Sequence, residues 1–67
     1  MNKYYLEGFS TDKKAEIERT LAEGGYKPYE DADNPGKICF HSDKSRKQLI
    51  NFASHGAKLR GPYPLDF

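Results

Sequence analysis

The sequence predicts an α+β domain whose elements run β-α-β-β-α-β, and three observations carry that prediction. The stretches "KYYLEGF" (residues 3–9) and "KICFH" (residues 37–41) alternate side chains with the period of two expected of strands. Each is followed by hydroxyl and acidic residues, then by a charged segment with apolar residues at helical spacing. Glycine closes each helical segment before a further extended one.

The two halves share this punctuation in register. A shift of 31 positions brings Phe9 onto Phe40, Thr11 onto Ser42, Asp12 onto Asp43 and Lys13 onto Lys44, then Ala22 onto Ala53, Gly25 onto Gly56 and Lys27 onto Lys58. A duplicated unit and two independent units with the same start and stop signals account for it equally well. Both give the same layout.

In the first strand Tyr4 and Leu6 fall on one face, and Tyr5, Glu7 and Phe9 on the other. "STD" then offers three consecutive helix caps, and the spacing predicts a helix from about Asp12 to Glu23 with Ile17, Leu21 and Ala22 turned inward. "GG" at residues 24–25 stops it. "YKPYE" (residues 26–30) is an edge strand, because Pro28 lacks a backbone donor. "DADNPG" is a turn, with Asn34-Pro35-Gly36 expected to reverse the chain. "KICFH" returns with Ile38 and Phe40 on one face and Cys39 and His41 on the other. "SDKSRKQLINFAS" is a second helix capped by Ser42 or Asp43, burying Leu49, Ile50, Phe52 and Ala53. A last strand passes through Leu59, giving one domain over residues 1–61 and an aromatic tail over 62–67.

This order is the ferredoxin-like, split β-α-β plan. Right-handed crossovers would set the first and third strands in the middle of a mainly antiparallel sheet, with both helices on one face and the other face open.

Composition narrows the class. A chain of 67 residues has one small core, and a single cysteine, Cys39, excludes an internal disulfide framework and favours a reducing compartment. "MNKYYLEGF" holds no charged segment leading into an apolar run, so the expectation is a cytoplasmic protein without export signal or membrane contact. Residues 1–36 hold 5 basic and 8 acidic side chains, net −3, and residues 37–67 hold 6 and 2, net +4. Such asymmetry fits a polyanion-binding face, or two halves or two copies that attract one another.

No catalytic set is predicted. Cys39 and His41 share a strand face, but nothing near them in sequence orients the imidazole as a thiolate mechanism requires. Cys39, His41 and His55 lack a metal-ligand spacing, so neither metal nor cofactor is expected. The expectation is a non-enzyme that binds a partner protein, possible forms being a phage or mobile-element inhibitor of a host protein or a homodimer. Tyrosine and arginine are common interface anchors, which singles out Tyr26, Tyr29, Arg60, Tyr63 and Phe67.

Two resemblances add alternatives. "YYLEGF" and "GKICF" resemble the two signature strands of RNA-recognition motif domains. That resemblance implies single-stranded RNA stacked on Tyr5 and Phe9, with Lys37, Lys58 and Arg60 on phosphates. Glu7 on the same face would oppose the backbone charge. "GFSTDKKAE…LAEGGY" is similar to the strand-helix-glycine-tyrosine rhythm of sporulation-related repeat domains, which implies binding of glycan strands.

Overall fold

The computed structural model describes residues 1–53 and 56–65. The elements are β1 (Asn2–Glu7), a 3₁₀ turn (Thr11–Lys13), α1 (Lys14–Glu23), β2 (Tyr29–Asp31), β3 (Asn34–Ser42), α2 (Arg46–Leu49), a second 3₁₀ turn (Ile50–Phe52) and β4 (Lys58–Pro64). They form an α+β structure with a four-stranded open sheet in the order β2-β3-β1-β4. Every neighbouring pair is antiparallel.

The strand alternation decides where the core lies. Tyr4 and Leu6 of β1 sit opposite Phe40 and Ile38 of β3, and Leu59 of β4 lies beside Leu6. These five side chains are buried in one cluster with Ile17 and Leu21 of α1 and Leu49 of α2. Both helices therefore pack on the same face of the sheet. The Tyr4 hydroxyl donates to the Lys44 carbonyl at 2.8 Å, so this fully buried phenol keeps its polar end bonded.

The first helix ends as its glycines require. The Gly25 amide donates to the Ala22 carbonyl at 3.1 Å and the Tyr26 amide to that of Leu21 at 3.0 Å, a Schellman closure with Gly25 at φ +89°. This closure swings Tyr26 back over the helix end, edge-on to Phe40 and Phe52 at 5.3 and 5.5 Å. Tyr26, one of the expected anchors, is thus half-buried: its ring packs on the core while the residue also lines the surface beside Tyr29. Phe9 departs from its expected face. Gly8 at φ +82° breaks the alternation after β1, and Phe9 packs against the core instead of the open face.

Other boundaries move for local reasons. The reversal between β2 and β3 falls at Ala32–Asp33, where the Asp31 carboxylate accepts the Asp33 amide at 2.9 Å, while residues 34–36 already belong to β3. Pro62, Tyr63 and Pro64 belong to β4, so the sheet extends past the expected tail boundary. Ala22 is exposed on α1, and Ile50 is exposed because α2 has only four residues before tightening into the 3₁₀ turn. The cap of α2 is Ser45, not Ser42 or Asp43. Ser42 is buried at the end of β3 and accepts the Lys44 amide, and Asp43 pairs with the Met1 ammonium at 3.4 Å.

Ser45 and Gln48 form a reciprocal capping box: Ser45 Oγ accepts the Gln48 amide and Gln48 Oε1 accepts the Ser45 amide. Ser45→Ala is expected to cost about 1 kcal/mol, a typical loss for such a cap. Urea denaturation should show the midpoint falling with the slope unchanged. An unmoved midpoint would mean the helix is held by Leu49 alone.

Candidate functional site

The face of the sheet opposite the helices carries the other strand parity. Lys3, Tyr5 and Glu7 of β1 meet His41, Cys39 and Lys58 across the central pairings, and Arg60 lies beside Tyr5. Tyr29 of β2 lies opposite Cys39. An irregularity in the β1–β4 register between Lys3 and Tyr5 brings Tyr63 over the same surface. The Tyr5 and Tyr63 rings stack with centroids 5.7 Å apart and planes 5° from parallel.

The sheet order assembles what the chain keeps apart. Residues 5 and 63 come from opposite ends of the sequence, yet β1 and β4 are neighbours. The Lys37 ammonium sits 4.4 Å from the centre of the Tyr5 ring, within cation–π range. At the β2 side, the Tyr29 and His41 rings meet edge to face at 5.5 Å, and the Tyr29 hydroxyl is hydrogen-bonded to His41 Nε2 at 2.9 Å. Tyr29 and Tyr63 remain 40% and 45% exposed and so are accessible to a partner.

Charge on this face is net positive. Lys3, Lys37, Lys58 and Arg60 stand against Glu7 and Asp31. Arg60 Nε donates to the Glu7 carboxylate at 2.8 Å, and that bond holds Glu7 below the usual carboxylate range, with Lys37 and Lys58 adding to it. The Asp31 carboxyl is also lowered, first by the Asp33 amide and further by the Lys3 and Lys37 charges. Both acids are thus satisfied by neighbours on the protein. The Tyr63 hydroxyl is held above its ordinary value, first by hydrogen bonding to Tyr5 and then by desolvation.

Cys39 lies at the centre of this surface but is fully shielded by the side chains around it. Burial pushes its thiol up, the reverse of what a nucleophilic thiolate needs. His41 directs Nε2 to Tyr29. Among the described residues no three His, Cys, Asp or Glu side chains cluster as metal ligands, and no helix is long and apolar enough to cross a membrane. His55 lies outside the described residues.

Of the anchors singled out in the sequence, the structure brings together Tyr29, Arg60 and Tyr63, and of the nucleic-acid set Tyr5, Lys37, Lys58 and Arg60. Tyr26 and Phe9 turn to the core, and Phe67 lies outside the described residues. Sequence reasoning missed Lys3, although it shares the parity of Tyr5. It also missed the Tyr29–His41 bond, which depends on the register of β2 against β3. No family model, no curated protein and no solved structure matches this chain.

Proposed function

We propose that the protein is a non-enzymatic binding domain that holds single-stranded nucleic acid on the uncovered face of its sheet. The observation that carries this reading is the stacked Tyr5–Tyr63 pair surrounded by Lys3, Lys37, Lys58 and Arg60. Single strands are bound without strong sequence preference by aromatic rings that take bases and cations that follow the backbone. Glu7 would oppose the phosphates if free, but its charge is matched by Arg60. The fold-level part of the reading is the ferredoxin-like plan. It is supported by the order β2-β3-β1-β4, by antiparallel pairing throughout and by a helix after β1 and after β3.

A protein partner on the same face is the second reading, favoured by the exposure of Tyr29 and Tyr63 beside Arg60, residue types common among interface anchors. The partner could equally be a second copy of this chain. The two readings separate on salt. Anisotropy of a labelled ten-nucleotide single strand should fall log-linearly with salt, with a slope of about −2 if Lys3, Lys37 and Lys58 each meet a phosphate while Arg60 stays on Glu7. Tyr5→Ala and Tyr63→Ala should each weaken binding roughly 10-fold, the loss of one stacked base. The reading fails if the strand does not bind at 50 mM salt, or if both variants stay folded and bind as the parent does. Salt-insensitive capture of one protein, or of a second copy in sedimentation, would establish the alternative.

A further inference from the structure

We infer that the cavity at the β2 side of the sheet is a pocket for one nucleotide, taking the base against its aromatic walls and the phosphate at its rim. The cavity measures about 400 Å³ and is lined by Met1, Gly25, Tyr26, Lys27, Tyr29 and His41. That volume is near the lower end of the ~300–1,000 Å³ typical of small-ligand sites, so it suits one compact planar group and not a folded peptide segment.

The lining specifies the ligand's chemistry. Two tyrosines, a histidine and a glycine are among the lining residues, and aromatic side chains favour packing against a heteroaromatic ring. The Tyr29–His41 pair puts hydroxyl and imidazole groups on one wall, where they can exchange their mutual bond for bonds to a base edge. No lining residue is acidic, whereas Lys27 and the Met1 ammonium are cationic. Met1 is paired with Asp43 at 3.4 Å, and Lys27 is exposed. Aromatic lining, a polar pair and the unopposed Lys27 together fit an aromatic ring carrying an anion. A neutral aromatic would leave the lysine without a role, and a simple phosphate would leave the walls without one.

The nucleotide could be free, or it could be one residue of a strand lying on the open face. Tyr29 and His41 belong to both surfaces. The second source rests on the proposed function, whereas the first does not.

The test titrates the whole protein with adenosine 5′-monophosphate, with inorganic phosphate and with the ten-nucleotide strand, following backbone amide and histidine-ring resonances. The mononucleotide is expected to shift Gly25, Lys27, Tyr29 and His41 in a saturable way that phosphate does not reproduce. Lys27→Glu, at an exposed position that the fold does not depend on, should weaken this roughly 10-fold, as should Tyr29→Ala. If the strand moves both this set and Tyr5 and Tyr63, the pocket takes a strand residue. If the mononucleotide moves the set and the strand leaves Tyr5 and Tyr63 unmoved, the pocket stands and the face reading falls. If the strand moves Tyr5 and Tyr63 while Gly25, Lys27 and His41 stay still with every probe, the pocket is overturned and the face reading survives. Equal shifts from phosphate and mononucleotide also overturn it.

Discussion

Phe40→Ala is expected to leave the protein largely unfolded at 25 °C. Phe40 is fully buried on a central strand, stacked on Tyr4 at 5.8 Å, edge-on to Tyr26 at 5.3 Å and tilted against Phe52 at 6.4 Å. It is the ring through which the sheet, the end of α1 and the turn after α2 touch. Truncating a buried phenylalanine costs about 3–5 kcal/mol through lost transfer energy and the cavity left behind. A chain of this size has a total stability of the same order, at roughly 0.05–0.15 kcal/mol per residue. Circular dichroism should show lost structure, and amide resonances should collapse to the random-coil range. Ile50→Ala, at a 45% exposed position in the 3₁₀ turn after α2, should stay within about 0.5 kcal/mol of the parent. If Phe40→Ala unfolds cooperatively within about 1 kcal/mol of the parent, the core is not organised around this ring.

Gly61→Ala is the second large effect, and its cause is the backbone. Gly61 sits at φ +122°, a conformation that side chains with a Cβ rarely adopt. An added Cβ would lie 2.9 Å from the Lys3 carbonyl oxygen and 2.9 Å from the Tyr4 ring. Both neighbours are on β1, and Tyr4 is buried, so neither can move away without disturbing the core. Backbone strain and overpacking of about 1–3 kcal/mol each bring the expected loss to roughly 2–6 kcal/mol. Gly36→Ala is the control: nothing lies within 4 Å of its added Cβ and its φ is not positive. Its denaturation midpoint should stay close to the parent's. Equal midpoints for the two variants would show that β4 can shift outward without loss. A smaller effect on Gly61→Ala should still be visible at the surface, because Gly61 lies at the β1–β4 irregularity that aims Tyr63 at Tyr5.

The same positions show what could be read before folding. The alternation of Tyr4 and Leu6 with Tyr5 and Glu7, and of Ile38 and Phe40 with Cys39 and His41, is a local property, and the α+β class and element order follow from it and from the helix stops. Gly25 and Gly56, 31 positions apart, both take positive φ, but Gly25 closes α1 directly whereas the 3₁₀ turn after α2 already ends at Phe52, before Gly56. Start signals were less decisive. Ser42, Asp43 and Ser45 all have the oxygen a cap needs, and the choice fell to Ser45 because β3 buries the first and the amino terminus pairs with the second.

By itself, then, the sequence determined which side chains share a strand face and where α1 stops, because steric preference and periodicity act over a few residues. Tertiary structure alone decided which face was covered. It also drew Tyr26 and Phe9 inward, shortened α2 and brought Tyr63 onto Tyr5 from the far end of the chain. The reason is that burial is summed over the whole layer. One local pattern can present either face, and only the pairing of β1 with both β3 and β4 makes covering Tyr4, Leu6, Ile38, Phe40 and Leu59 together the favourable choice.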